Sequence, residues 1–235
     1  LAHQPTLGLF VELEAQLAAD PKEVGKMGRL VEAMLKIDKP EWTERALEKL
    51  DEFYKSTGQF RFRQKMFELK LRALLLEERR LAAEVAKAPQ DPEKKRAHEE
   101  FALARAQEEL EIYREVSEQY PTEMKFRYEM ADRLVKLGDY SQAIPIYQQA
   151  VNDPKLRTPA TLKLGQAFLS AEFVDEAVDT LRGLQENYQV RGDETAKEIF
   201  YWFARANEAK GDLPAASKAF SQVAQWDFNY RDVQS

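Results

Sequence analysis

Apolar residues recur at intervals of three and four along most of this chain, with polar residues between them. This interval places the apolar side chains on one face of an α-helix. The N-terminal region shows it in 22–38 and again in 41–57, and Pro40 is predicted to lie just ahead of the second helix. We interpret the two helices as a degenerate helical repeat, preceded by an earlier helix around Leu13. The apolar positions of the pair are Met27, Leu30, Met34, Ile37, Ala46, Leu47, Leu50 and Phe53.

The central region carries two unusually long helical patterns. Residues 60–87 contain neither glycine nor proline, nor do residues 93–119, so each predicts a helix of about 40 Å at 1.5 Å per residue. Pro89, Asp91 and Pro92 mark a reversal between them. The pattern predicts an antiparallel hairpin that packs along an apolar seam and projects at its tip, and the alternative is two ordinary repeat helices with longer ends. The seam residues are predicted to be Phe67, Leu71, Leu74, Leu81, Val85, Leu103, Ala106, Leu110 and Tyr113.

The C-terminal half repeats itself over about 121–228. Each of three copies has a small residue in a first helix and another in the helix that follows, which lets the paired helices approach closely. A large residue four positions after the second small residue fills the space beyond. Gly138-Asp139 and Gly211-Asp212 separate the helices of the first and third copies. The small residues are Ala131, Gly165, Ala204, Ala143, Ala177 and Ala216, and the large ones are Tyr147, Leu181 and Phe220.

The intervals between the copies support this alignment. Ala143 lies 34 residues before Ala177, which lies 39 residues before Ala216. The excess falls in the polar stretch 189–193, and an insertion of this kind belongs in a loop. Because a single helix pair cannot bury its outer face, neighbouring pairs are expected to stack. A closed all-α bundle is the alternative.

These residues and intervals resemble the tetratricopeptide repeat, a helix–turn–helix unit of about 34 residues. The sequence departs from that family at Arg127 and Thr161, where the family has an aromatic residue, and at Glu172, where a turn glycine is usual. The resemblance implies an all-α fold, a right-handed α-solenoid of antiparallel helix pairs, here with one elongated helical hairpin. The predicted regions are degenerate helical repeats in 1–59, the long hairpin in 60–120, and three repeats with a C-terminal tail in 121–235.

The resemblance also implies a binding site. In this family the first helices of successive repeats line a concave groove that holds a peptide or helix of a partner. Tyr128, Tyr201 and Arg205 are the preferred hot spots, because tyrosine and arginine often dominate binding energies. Some family members clamp a C-terminal carboxylate with Lys and Asn, but the matching positions here are Tyr128 and Asp132, so an internal segment, extended or helical, is the expected ligand. Carried over residue by residue, the groove positions are Lys125, Tyr128, Asp132, Lys136, Leu162, Gln166, Leu169, Tyr201, Arg205 and Glu208.

The end of the sequence adds a further expectation. Tyr230-Arg231-Asp232-Val233 resembles a string that begins another helix in many repeat proteins, and such capping elements cover the last apolar face. In place of such a helix, three aromatic residues are expected to fold back over Phe220, namely Trp226, Phe228 and Tyr230. The sequence opens without methionine, which we interpret as a sign of trimming or processing.

Composition agrees with a helical chain and excludes several function classes. Glycine and proline together make up about 8% of the 235 residues, against roughly 12% in average globular chains. The formal net charge of −6 provides no overall field that attracts nucleic acid or anionic lipid. The absence of cysteine excludes disulfides, thiolate nucleophiles and iron–sulfur clusters. No apolar run approaches the ~20 residues of a membrane-spanning helix, and the compartment, cytoplasmic or periplasmic, stays open.

Candidate catalytic chemistry is sparse. The histidines are His3, near the terminus, and His98, in a charged helical stretch without a second histidine at metal-ligand spacing. The acidic pairs Glu77-Glu78 and Glu108-Glu109 have basic residues at helical spacings and are expected to form exposed ion pairs. The sequence contains no glycine-rich phosphate-binding loop. We expect no enzyme activity, no metal site and no cofactor.

Nucleic acid and membrane rank below protein as partners. Phe60-Arg61-Phe62-Arg63 alternates aromatic and basic residues, as single-strand binders do, but alternate residues of a helix lie about 200° apart and form no common platform. We expect one phenylalanine to be buried at the hairpin base and the arginines to be solvated, with no nucleic-acid partner. Leu71–Val85 carries too many acidic residues for a membrane surface and suits a partner helix better.

The sequence therefore predicts a non-catalytic scaffold that binds other proteins of unidentified sequence through its groove, with the hairpin as a second surface. Two alternatives stay open. One is an oligomerisation module, in which self-association pairs two chains through the hairpin or the uncapped end. The other is an accessory module of a larger envelope or secretion-associated protein.

Overall fold

The described residues form a chain of α-helices. A computed structural model describes residues 4–21, 23–37 and 39–233, and within these ranges it contains eleven helices and no strand, which confirms the predicted all-α fold. The chain divides into two compact units, one up to Glu99 and one from Glu100 onward. The helices are α1 (Gln4–Ala19), α2 (Val24–Leu35), α3 (Pro40–Thr57), α4 (Phe60–Lys87), α5 (Pro92–Gln119), α6 (Met124–Lys136), α7 (Tyr140–Ala150), α8 (Arg157–Ser170), α9 (Val174–Asn187), α10 (Glu194–Lys210) and α11 (Leu213–Trp226).

The first unit has a core made by α1 to α4, in which consecutive helices pack against each other. The apolar positions predicted for α2 and α3 lie in or against this core, except Ile37, which is also buried. Helix α1 is the predicted earlier helix. Pro40 is the first residue of α3 rather than the residue ahead of it. This position suits proline, because the first amide groups of a helix have no intrahelical partner. Core residues with at most 2% of their surface exposed are Leu13, Met27, Leu30, Val31, Ala33, Met34, Ala46 and Leu50.

The first turns of α4 lie in this core, and the rest of the helix leaves it. Phe62 is buried, which confirms the expectation that one phenylalanine of the aromatic–basic stretch packs at the base. Arg61 stays exposed and donates to the backbone oxygen of Val24 at 2.8 Å. Arg63 instead stacks over the ring of Phe67 at 4.8 Å. Between 68 and 105, by contrast, no side chain is buried.

Helices α4 and α5 have the predicted length of 27 to 28 residues, since each contains 28. Asp91 caps α5 by accepting from the backbone N–H of Glu93 at 3.0 Å, and Lys94 lies 3.6 Å from Glu84 of α4. The predicted reversal is thus present at the tip. Leu103 is 53% exposed, so its assignment to the seam is wrong. The division into 1–59, 60–120 and 121–235 stays a prediction.

The correction at Leu103 concerns where burial on α5 ends. The buried stripe of α5 passes through Ala106, Glu109 and Leu110. Leu103 lies seven residues before Leu110 and therefore on nearly the same side of the helix, but no side chain between 68 and 105 is buried. The apolar spacing alone does not show where along the helix the burial ends.

The second unit contains three helix pairs, α6/α7, α8/α9 and α10/α11. Consecutive helices pack in order, and α8 also packs against α10, so neighbouring pairs stack as an all-α solenoid. The predicted small residues are all buried. At Gly165 an added Cβ would lie 2.5 Å from Cγ of Leu181, which shows how close α8 and α9 approach.

The turns inside the pairs share one geometry. Gly138 and Gly211 adopt the left-handed conformation, with φ of 79° and 85°. Asp139 and Asp212 then cap the following helices, each accepting a backbone N–H at 3.1 Å. In the second pair Glu172 takes the left-handed position with φ of 66°. The departure from glycine therefore leaves the turn intact, at the steric cost of a side chain.

Candidate functional site

The first helices α6, α8 and α10 form one continuous face of the second unit. Asp132 of α6 lies 3.9 Å from Lys163 of α8, and α8 packs against α10. At the far end, Arg205 of α10 lies 3.8 Å from Asp232 in the C-terminal tail. We define the first-helix face by its partly or fully exposed residues, Lys125, Glu129, Asp132, Lys136, Lys163, Gln166, Leu169, Glu198, Trp202, Arg205 and Glu208.

Most residues predicted for the groove keep accessible surface, but Leu162 and Tyr201 do not. Leu162 is 5% exposed and belongs to the core cluster that contains Leu181 and Ile199, because its side of α8 turns inward. Tyr201 is 7% exposed. The prediction that these two residues line an accessible groove is therefore corrected. The predicted residues that keep accessible surface are Lys125, Tyr128, Asp132, Lys136, Gln166, Leu169, Arg205 and Glu208.

The C-terminal tail, 227–233, covers Tyr201. The Tyr201 hydroxyl donates to Asp232 at 2.7 Å, and the ring lies 6.0 Å from that of Tyr230. The guanidinium of Arg231 stacks over the Tyr201 ring, 4.7 Å from its centre. Burial, together with the bond to Asp232, raises the pKa of Tyr201, which therefore stays a protonated donor. Tyr201, one of the two preferred hot spots on α10, is thus already engaged within the chain.

Two of the three aromatic residues expected to fold back over Phe220 contact α10 instead. Trp226 packs edge-on against Phe200 at 4.9 Å, and Tyr230 packs against Tyr201. Phe228 is 65% exposed. The reason is that the tail runs along α10 instead of returning over α11.

Tyr128 supports the first-helix face from beneath. Its ring meets the buried ring of Tyr147 edge-on at 5.7 Å, and the Tyr147 hydroxyl donates to Asp132. Burial raises the pKa of Tyr128, and so do the carboxylates of Asp132, Glu129 and Glu198. Glu198 belongs to α10, so its carboxylate lies near enough to Tyr128 of α6 to add to this shift.

Sequence reasoning missed Lys163 and Trp202, which directly follow the buried Leu162 and Tyr201. One step along a helix turns the side chain by about 100°, which is enough to move from the core to the surface. The indole N–H of Trp202 is enclosed and, among the described residues, has no acceptor. The corresponding residue of α6 is Glu129, so the shared position was visible in the repeat alignment.

A buried charge cluster lies beside the face and was also missed. Glu109 is 1% exposed, so its prediction as an exposed ion pair is wrong. Arg105 and Arg133 donate through Nε to its two carboxylate oxygens at 2.6 and 2.7 Å. Burial raises the pKa of Glu109, but the two guanidinium donors outweigh it and hold the pKa below its usual value. Arg133 also binds Glu129, which links the cluster to the face.

Of the other acidic and histidine side chains considered in the sequence, Glu77 and His98 are partly exposed. Glu77 pairs with Arg80 at 2.7 Å on the surface of α4, as predicted for that acidic pair. His98 is partly exposed on α5, and His3 lies outside the described residues. In the described ranges, no group of three or more His, Asp or Glu is placed to hold a metal ion. None of the helices described above is long and apolar enough to cross a membrane.

Stacked helix pairs with small residues at their contacts define a helical-repeat protein, and comparison with solved structures identifies the repeat. The chain is similar to MamA 41-end from Desulfovibrio magneticus RS-1, with a TM-score of 0.55 at 15% identity over 88% of this chain and 96% of that one. It is similar to a MamA RS-1 ArsTM double mutant (0.56, 14%, 88% and 95%). It is also similar to YrrB, described as a TPR protein with an unusual peptide-binding site (0.54, 14%, 94% and 95%). The fold is that of the tetratricopeptide-repeat proteins, and no protein-family profile or curated protein matches the chain.

Proposed function

We propose that this protein is a non-catalytic scaffold that binds a segment of a partner protein on the first-helix face. The observation that carries the proposal is the adjacency of α6, α8 and α10, which presents polar side chains in a row. Helical-repeat folds use such extended surfaces to bind other polypeptides. The similarity to YrrB, described as having a peptide-binding site, agrees with this proposal.

The charges of the first-helix face indicate the kind of segment it accepts. Lysine and arginine side chains are balanced by an equal number of carboxylates, and several already pair with each other, as Asp132 does with Lys163. A segment with charges of both signs matches this surface. A C-terminal carboxylate would meet repulsion at Asp132, so an internal segment, extended or helical, is the proposed ligand.

Gln166 and Arg205 are the residues through which we propose that the face binds. Gln166 lies at the centre of the row and offers both a donor and acceptors. Arg205 presents a planar guanidinium suited to bidentate bonds, and it pairs with Glu208 at 3.0 Å in a partly exposed setting. Tyr128 and Tyr201 are unsuitable for a test, because truncating either removes packing inside the unit.

Selection of a displayed random peptide library with the full chain, followed by fluorescence anisotropy on the selected peptides, tests this proposal. Gln166→Ala combined with Arg205→Ala is expected to weaken binding about tenfold, because two central contacts are removed. Circular dichroism should show unchanged helix content.

The matched control replaces the same residue classes elsewhere, with Gln148→Ala and Lys155→Ala, both exposed and outside the face. This control is expected to bind as the unaltered protein does. Equal affinity of all three proteins, or a library that yields no binder, would contradict the proposal. Light scattering on the same samples tests the oligomerisation alternative, which a concentration-independent monomer would remove.

A further inference from the structure

A recess lies between α9 and α11, apart from the first-helix face. Two chambers of about 310 and 490 Å³ share Gln185, Glu186, Phe200, Lys218 and Gln222, so they form one continuous cleft, here called the α9–α11 cleft. One end of the cleft is formed by residues 188–191, in the loop between α9 and α10. That loop holds the insertion that lengthens the second of the two repeat intervals, which confirms the prediction of a loop there. A ligand bound in this cleft would be separate from the segment proposed for the first-helix face.

The floor of the cleft is aromatic, and two of its rings pack against each other. Phe200 meets Trp226 edge-on at 4.9 Å, and Phe203 lines the smaller chamber. Gly192, with φ of 73°, lies so close to Trp226 that an added Cβ would be 3.3 Å from the indole ring. The loop is thereby held against the floor, and Val190 beside it is 54% exposed.

The rim of the cleft is basic. Arg182, Arg191 and Lys218 line it, against the one carboxylate of Glu186. Arg182 bonds Asp179 at 3.2 Å, whereas no ion pair in the described part of the chain engages Arg191 or Lys218. The rim therefore carries a local excess of positive charge, although the chain as a whole has a net charge of −6. This excess attracts anionic groups to the cleft.

We propose that the α9–α11 cleft binds an acidic peptide segment that carries one bulky apolar side chain. The apolar side chain contacts Phe200, Phe203 and Trp226, and the flanking carboxylates bind Lys218 and Arg191. The amides of Gln185 and Gln222 bond the peptide backbone. A nucleic-acid strand fits less well, because Glu186 interrupts the cations and would repel successive phosphates.

Fluorescence anisotropy with the full chain and synthetic peptides tests this assignment. The probe is a labelled peptide in which Asp and Glu flank a single Phe, compared with its Phe-to-Ala and acid-to-Lys versions. We expect the probe to bind about tenfold more tightly than either comparison peptide. Lys218→Glu combined with Arg191→Glu is expected to weaken probe binding about tenfold, more so at low salt.

A matched charge change on the other surface isolates the cleft. Lys125→Glu with Lys136→Glu alters net charge equally on the first-helix face, and probe affinity should not change. Gln166→Ala with Arg205→Ala should leave it unchanged too, which separates this test from that of the proposed function. Equal weakening by both pairs of charge reversals would overturn the assignment. So would undetectable probe binding, tighter binding of a single-stranded oligonucleotide, or self-association that Lys218→Glu with Arg191→Glu abolishes.

Discussion

The close approach of α8 and α9 depends on one missing side chain. Leu181 is fully buried, and its branched end occupies the space into which a Cβ of Gly165 would project. Alanine performs the same role in the other two pairs, at Ala131 and Ala204. The second pair uses the smallest residue because its partner position holds a leucine that points directly at the contact.

Gly165→Ala is expected to destabilise the protein by about 1–3 kcal/mol, because overpacking displaces a buried side chain or the helix itself. Chemical denaturation monitored by circular dichroism measures this change. Gly183→Ala is the matched control, since Gly183 lies in α9 with nothing within 4 Å of an added Cβ. It should stabilise the protein by about 0.5–1 kcal/mol, as alanine does inside helices. Equal effects of the two substitutions would show that the contact with Leu181 is unimportant.

Helices α5 and α6 are joined by charge as well as by apolar contact. Leu110 packs with Ala131 and Leu134 in one core cluster. Next to it, the buried Glu109 receives bonds from its own helix and from Arg133 of α6. Removing one member of such a buried cluster leaves the others without compensation.

Glu109→Gln is expected to lower the free energy of unfolding by about 3 kcal/mol near neutral pH, because two guanidinium groups lose their shared carboxylate. The exposed Glu111→Gln affects only surface bonds, to Arg114 and Gln107, and should change the free energy of unfolding by less than about 0.5 kcal/mol. Denaturation of both variants beside the unaltered protein checks this difference. Comparable losses for the two would contradict the role of the buried cluster.

The same cluster predicts a pH dependence. The pKa of Glu109 is lowered in the folded protein, so its contribution is complete above the unfolded value of about 4.3 and is lost as pH falls through the folded pKa. A protonated Glu109 resembles glutamine. The stability gap between the unaltered protein and Glu109→Gln should therefore narrow below about pH 4. A gap that stays constant down to acid denaturation would show that Glu109 does not titrate as inferred.

Across the whole molecule, burial is unevenly distributed. Most repeat helices carry several fully buried residues, as α10 does with Ile199, Ala204 and Ala206. The stretch 68–105 has none. Segments with few buried contacts open locally at lower free energy than core helices.

Hydrogen exchange followed by mass spectrometry should resolve this difference. Backbone amides in 78–98 are expected to be protected less than those of α8 and α10, on the order of tenfold or more. The long helices should still form, because their intrahelical bonds do not depend on burial alone. Equal protection of 78–98 and α10 would contradict this expectation.

Local sequence determined the elements and their order. Apolar spacing, absence of glycine and proline from 60–87, and breakers such as Gly138 and Gly211 each act within a few residues. These features depend on helix geometry and turn conformation, which neighbours in sequence control. The repeat interval likewise identified Gly165 and its alanine counterparts as contact positions, because the same packing problem recurs in every pair.

Tertiary structure alone decided which side of each first helix stays accessible. Leu162 and Tyr201 share the repeat position of Tyr128, yet α9 and α10 bury the first and the tail covers the second. In the sequence, Glu109 is indistinguishable from the surface carboxylates around it. In the structure it binds Arg133 of another helix, 24 residues later in the chain. The α9–α11 cleft exists only because 188–191, Phe200 and Trp226 meet in space. Such contacts join residues far apart in sequence, and no local spacing encodes them.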